Sequence, residues 1–157
     1  SPGKKPFVAA VETTDAGQPV RIKLRLVASF SKADIKALAE KHIKSTARVV
    51  TDGLGCFRGI AAAGATHTAL NVSQLGHSEK LPQFKWVNTL LSNLKTAITG
   101  TYHAFDFAKY AHRYLAEFQF RFNHRFNMKT ILHRLLCALV VAPPSCERRL
   151  RLAEIPR

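Results

Sequence analysis

The alternation of apolar and polar positions divides the chain into a strand-rich first half and a helical second half. KPFVAAVETT (5–14) is a short apolar run rich in Val and Thr, which predicts a buried strand. DAGQP (15–19) is turn chemistry. VRIKLRLVAS (20–29) then alternates, with Val20, Ile22, Leu24 and Leu26 on one face and Arg21, Lys23 and Arg25 on the other. This pattern predicts a strand with one face on a core, hairpin-paired with the first. Ser31 reads as an N-cap with Asp34 three residues on, opening a helix that runs to about Lys44. ARVVTD (47–52) predicts a short strand, FRGIAAAGA a helical segment, and THTALNV (66–72) a further strand.

SQLGHSEKLPQF (73–84) is polar and carries Gly76 and Pro82, so it predicts a mobile loop. From Lys85 onward the periodicity is helical over about 86–98, 105–122 and 129–141, and Pro143 and Pro144 stop the last helix. The tail CERRLRLAEIPR adds a short turn of helix. The four strands are expected to form one sheet, with the 86–98 helix packed on it through Val87, Leu90, Leu91 and Leu94. The order of elements describes a mixed α/β domain with additional C-terminal helices.

Charge sharpens this picture. Among 157 residues, 24 Lys and Arg face 10 Asp and Glu, a formal net charge of +14. The first 100 residues carry +8 and the rest +6, so a basic tail does not account for it. Such an excess favours a polyanionic partner, most often nucleic acid, over simple solubility. Cys56, Cys137 and Cys146 are odd in number, far apart and without a CxxC, which argues against a disulfide framework and a zinc ribbon and fits a reducing cytoplasm. The apolar run LLCALVVA (135–142) is far too short to span a bilayer, so no membrane partner is expected.

Two places hold candidate chemistry. Asp52 stands where the apolar strand RVVT gives way to the turn DGLG, and chemistry in α/β sheets collects at the carboxyl ends of strands. Turn geometry or helix capping explains such an Asp at least as readily. In WVNTLLSNLKTAITGTYH (86–103), Val87, Leu90, Leu91, Leu94 and Ile98 form one helical stripe, while Asn88, Ser92, Lys95 and Thr99 form a second. Seven residues are nearly two turns, so Asn88 and Lys95 point the same way. A solvated polar face is the plain alternative. In FAKYAHRYLAEFQFRFNHRF (107–126) the aromatics Phe107, Tyr114, Phe118 and Phe122 read as core, whereas cations among them, including Arg113, Arg121 and Arg125, suit a nucleic-acid backbone.

The stretches VVTDGLGCFRGI, GATHTALNV, WVNTLLSNLKTAITGTYHAF and KYAHRYLAEFQFRFNHRF together resemble the bacterial insertion-sequence transposases of the DDE superfamily. More narrowly, they are similar to the subgroup whose third catalytic position is Asn, followed seven residues later by Lys. The resemblance covers roughly residues 6–142. It implies a ribonuclease-H-like mixed sheet, a transposase catalytic domain over 1–142 and a tail over 143–157. It also implies Asp52 as the second catalytic Asp, Asn88 as the third metal-site residue and Lys95 as the basic residue near DNA, with Arg113, Arg121 and Arg125 as further DNA contacts. Such a domain uses two Mg²⁺ ions to cut and join DNA strands, acts on transposon ends and target DNA, works as a homo-oligomer, and resides in the bacterial cytoplasm with the nucleoid. His67 matches a recurrent histidine, although a strand histidine is more often structural. His77 and His103 flank the site in sequence and have no metal-ligand spacing with a partner.

The family pattern also calls for a first catalytic Asp on a first strand, upstream of one like KPFVAAVE. Neither Glu12 nor Asp15 fits that place. The expectation is therefore a ribonuclease-H-like sheet lacking its first strand, normally the central one, with two edges left unpaired. On this reading the chain is a truncated transposase, inactive or incomplete alone. The alternative from another class is a non-catalytic basic nucleic-acid-binding module that keeps the scaffold.

Overall fold

A computed structural model describes residues 5–71, 81–101 and 106–153. Within them lie four strands, β1 (Phe7–Thr13), β2 (Pro19–Leu26), β3 (Arg48–Thr51) and β4 (Thr66–Ala69). The six α-helices among the described residues are α1 (Lys32–His42), α2 (Arg58–Ala62), α3 (Lys85–Thr101), α4 (Phe107–Asn123), α5 (Met128–Val141) and α6 (Glu147–Leu152).

β1 and β2 form the expected antiparallel hairpin, with Ala9 opposite Leu24 and Val11 opposite Ile22. Its apolar face is buried at Ile22 and Leu24 and half-buried at Leu26, whereas Val20, expected on the core, is 39 % exposed at the start of the strand. Ile22 and Leu24 join Leu90 and Leu94 of α3 and Leu115 of α4 in one core, with Phe7, Ala9, Val11, Ile98, Phe118 and Phe122 packed around it. A second core gathers Ile35 and Ala39 of α1 with Cys56, Ile60 and Ala65, and Val8 of β1 and Val49 of β3 pack against it. The hairpin thus separates α3 and α4 on one face from α1 and α2 on the other.

Local signals fix the helix ends. Ser31 caps α1, its side chain accepting from the Asp34 amide at 3.1 Å, while the Asp34 carboxylate accepts from the Ser29 amide and hydroxyl at 3.0 and 2.8 Å. These hydrogen bonds hold the Asp34 carboxyl below the usual carboxylate range. Asp106 caps α4 in the same manner. α1 and α2 meet at Gly59, where an added Cβ would lie 2.9 Å from the Lys36 amide nitrogen and still closer to the Lys32 carbonyl oxygen. Only the missing side chain permits that approach.

The expectation of one four-stranded sheet is corrected. The described residues form two separate two-stranded sheets, β1 with β2 and β3 with β4, the latter pair parallel. The hydrogen bonding shows which edges are covered and which are open. The Ile22 and Leu24 amides point away from β1 and donate to Asn123 Oδ1 at 2.8 Å and Gln119 Oε1 at 2.9 Å, and Asn123 Nδ2 returns a bond to the Ile22 carbonyl at 3.1 Å. Side-chain amides one turn apart on α4 therefore cover the outer edge of β2 in place of another strand. By the antiparallel alternation, the backbone groups of Ala9 and Val11 face the opposite edge, where they have no backbone partner among the described residues. On β3 the Ala47 and Thr51 carbonyls accept from β4, which leaves the Val50 peptide groups on the edge away from β4.

Three further expectations need amendment. Leu91 is 37 % exposed instead of core, and α3 packs through Leu90, Leu94 and Ile98. Of the segment read as a mobile loop, 81–84 is ordered: Pro82–Phe84 is a 3-10 turn that buries Phe84, while 72–80, with His77, lies outside the described residues. Val50 is 42 % exposed although it lies within an apolar strand.

The edge cover gives a direct test. Replacing Asn123 by Leu leaves the Ile22 amide and carbonyl without their partner, so the variant is expected to lose about 1–3 kcal/mol in urea unfolding. It should also aggregate more readily than the parent as the β2 edge is exposed.

Candidate functional site

The sequence-predicted residues fall on two elements. Asp52 follows β3 directly. Its Oδ1 accepts from the Leu54 amide at 3.2 Å, an Asx-type turn that carries the chain off the strand. Gly53 follows with φ +84°, and its α-carbon lies so near β4 that an added Cβ would come within 3.1 Å of the Leu70 carbonyl oxygen. The DG pair is thus needed for the turn, and Asp52 itself is exposed, with no hydrogen bond to its second oxygen among the described residues. Beside it Thr51 is buried, and its hydroxyl lies 2.9 Å from His67 Nε2. His67 accordingly ties β4 to the end of β3.

Asn88 and Lys95 share a face of α3, as their spacing requires. Lys95 is exposed, and its ammonium makes no ion pair among the described residues. Asn88 is half-buried, and its Nδ2 is enclosed without a hydrogen-bond partner among the described residues. A buried amide left unpaired is costly, which makes Asn88 the most unusual polar group on the helix. The shallow groove it lines is built from α3 alone, with Thr89, Leu91, Ser92 and Asn93. No hydrogen bond joins Asp52 to Asn88, and no groove described here includes both.

Asp52 and Asn88 would supply a metal with one carboxylate and one neutral amide oxygen. Among the described residues no group of three or more His, Cys, Asp or Glu side chains could hold a metal ion. Two Mg²⁺ ions need more anionic oxygen than this. The donor set present does not fit the metal pair, and no chemical step can be assigned through it here.

Three cations nominated for DNA are engaged in the fold. Arg125 donates to the carbonyls of Pro19, Val20 and Phe122 and stacks on Phe122 and Phe126, with its guanidinium 3.9 and 4.1 Å from the ring centroids. Burial lowers its pKa. Arg121 pairs with Glu117 at 2.5 Å, and Arg113 donates to the Leu150 carbonyl at 3.0 Å. Arg125 pins α4 to the hairpin turn, as Trp86 does for α3 by donating to Gly17 O at 2.6 Å. His103 lies outside the described residues.

Sequence reading missed a different cluster. Lys23 and Arg25 occupy the polar face of β2, near Lys41 and His42 at the end of α1. Burial first, then the positive charges of Lys23, Arg25 and Lys41, depress the His42 pKa. None of these three cations has an ion-pair partner among the described residues. The alternation of 20–29 marked two of them, but the meeting of β2 with the last turn of α1 is a tertiary fact.

Residues 1–123 match the family described as the ISXO2-like transposase domain, an insertion-sequence transposase of the DDE type. The match spans Asp52, Asn88 and Lys95, and the chain belongs to this family. No curated protein and no solved structure matches the chain. Among the described residues no helix is long and apolar enough to cross a membrane.

The His42 environment predicts a pH response. Its folded pKa lies below its ordinary value of 6.5, and burial lowers that of His112 likewise. The unfolded chain therefore takes up protons first as pH falls. Stability is fully present above about 6.5 and is lost as pH drops toward the folded pKa values. Urea midpoints at pH 7.5 and 5.5 should show the decrease, and His42→Gln should reduce it.

Proposed function

We propose that this chain is the DNA-engaging scaffold of an insertion-sequence transposase, with a ribonuclease-H-like sheet that is completed by a strand between β1 and β3. The family match across residues 1–123 carries this reading. It is supported by the hydrogen-bonding edges: β2 is covered by Gln119 and Asn123, whereas Ala9, Val11 and Val50 keep backbone groups on edges without a strand partner among the described residues. The catalytic unit on this reading is 1–142. Its tail, 143–157, returns to α4 through the bonds that Tyr110 and Arg113 make to α6.

Asp52 is the carboxylate at the strand end, with one oxygen committed to the turn and one available. Asn88 offers a neutral oxygen, and its enclosed Nδ2 awaits an acceptor. Lys95 contacts a phosphate as a point charge. Asp52 and Asn88 would be among the ligands of a Mg²⁺ pair, which would supply Lewis-acid chemistry for phosphodiester cleavage if bound. This chain needs a further acidic ligand for that chemistry, one that an inserted strand would bring. For DNA contact, Lys95 with Lys23, Arg25 and Lys41 is favoured over Arg113, Arg121 and Arg125, whose guanidinium groups already serve the fold. Assembly as a homo-oligomer and residence with the nucleoid belong to the same reading.

A second reading is a basic nucleic-acid-binding module without catalysis, which the sparse donor set favours. Cleavage of a labelled duplex in Mg²⁺ or Mn²⁺ separates the two. The 157-residue chain is expected to leave the duplex intact. A longer chain that supplies an Asp-bearing strand is expected to cut it, and Asp52→Asn in that chain should abolish cutting. An extended chain that binds DNA without cutting would establish the second reading.

Both readings predict duplex binding that weakens steeply with salt, with a slope of about −0.9 per phosphate neutralised. The paired change Lys23→Ala/Lys41→Ala should make that slope shallower by about two such contacts, and Arg121→Ala should leave it nearly unchanged.

A further inference from the structure

Trp86, the single tryptophan of the chain, is only half-buried, and Phe126 is 85 % exposed. Both line one groove of about 650 Å³. Trp86, Thr89 and Asn93 recur at i, i+3 and i+7, which places them on one face of α3. That face supplies one side of the groove, the hairpin turn with Gln18 a second, and Phe122 with Phe126 a third.

Both rings are held in place. Trp86 Nε1 donates to Gly17 O at 2.6 Å, which ties the indole to the turn. The Arg125 guanidinium, itself bonded to the Pro19 and Val20 carbonyls, lies against Phe122 and Phe126 and steadies the exposed ring. Flat apolar surfaces fixed in advance lower the ordering cost of binding. Gln18 and Asn93 are exposed, and no hydrogen bond engages either side-chain amide among the described residues. Charge narrows the choice of occupant. No acidic side chain is among the described residues that line the groove. Asp15, in the same turn, lies 4.0 Å from Arg48, and Lys85 Nζ is 5.1 Å from the centre of the Trp86 ring. Aromatic faces stack on any base, side-chain amides match base edges, and nearby cations suit the attached phosphates.

We infer that this groove receives an unpaired nucleobase of bound DNA, stacked on the aromatic rings with its edge toward the Gln18 and Asn93 amides. A base inside a duplex has both faces covered by its neighbours and cannot enter. The inference rests on the DNA reading and deepens it. Thr89 and Asn93 line both this groove and the shallow one at Asn88, so the two sites share a boundary on α3. A strand engaged at Asn88 and Lys95 thus has a place for a displaced base immediately beside it.

With a single tryptophan in the chain, the emission of Trp86 reports on the groove directly. The full chain is titrated with three short duplexes at one salt concentration: one with an unpaired adenine, the same duplex with an abasic residue at that position, and the fully paired duplex. The unpaired adenine is expected to quench Trp86 and to bind about 10-fold tighter than its abasic counterpart. Phe126→Leu should remove that preference, because it keeps an apolar side chain but no ring face, and Phe126→Tyr should retain it. Both variants should bind the paired duplex with the parent's salt slope, since neither changes a charge. Equal affinity and equal quenching for the adenine and abasic duplexes overturn the inference and leave the DNA reading standing. Failure to bind any of the three overturns both. Quenching by adenosine monophosphate that equals that by the adenine duplex at the same concentration also overturns it and assigns the groove to a free nucleotide.

Discussion

The architecture depends on how α4 meets the outer edge of β2. Gln119 and Asn123 lie one helical turn apart, and that rise lets their side-chain amides reach the outward backbone groups of Leu24 and Ile22, two residues apart on the strand. The contact serves two ends. It supplies hydrogen bonds to groups that a buried edge cannot leave unmet, and it prevents further strands from adding on that side. The same helix brings Leu115, Phe118 and Phe122 onto Ile22 and Leu24, so edge cover and core packing are fixed together. Arg125 extends the seam to the turn that closes the hairpin.

With one edge covered, the only side on which the hairpin can grow is that of Ala9 and Val11. β3 and β4 form a separate parallel pair, linked to the hairpin through the α1 and α2 core instead of through backbone hydrogen bonds. Parallel strands are normally buried on both faces, yet Val50 is largely exposed. Val50 and Leu91 share one physical description: apolar groups suited to burial that are exposed among the described residues. This is the condition a strand between β1 and β3 would relieve.

The cations divide by whether the fold gives them partners among the described residues. Arg125, just beyond α4, satisfies carbonyls at the hairpin turn and Arg113 holds α6, while the exposed Arg121 pairs with Glu117 on its own helix. Lys23, Arg25 and Lys41 all act on His42 and have no ion-pair partner among the described residues, an arrangement that costs stability unless a polyanion offsets it. Burial first, and then the charges of Lys23, Arg25 and Lys41, depress the His42 pKa. Arginine suits the first task because its planar fork can meet several carbonyls at once, and lysine suits the second because it remains a hydrated point charge.

The sequence by itself determined the elements and the family. Period-two alternation placed β2, the Ser31 and Asp34 pair opened α1, and the spacing of Leu90, Leu94 and Ile98 oriented α3, because each depends on neighbours a few residues apart. The order of VVTDGLGCFRGI, WVNTLLSNLKTAITG and RYLAEFQFRFN was enough to indicate a transposase, as the family match bears out. Tertiary structure alone decided the rest. Whether an arginine within an aromatic helix faces DNA or a carbonyl more than 100 residues away depends on long-range packing that helical spacing does not contain. The same holds for the division into two sheets, since a strand records which of its faces is apolar but not whether its edge has a neighbour. It holds too for α5, whose leucine stripe reads as core in any sequence and is exposed here because α6 is tied to α4, leaving nothing in the chain to cover it among the described residues.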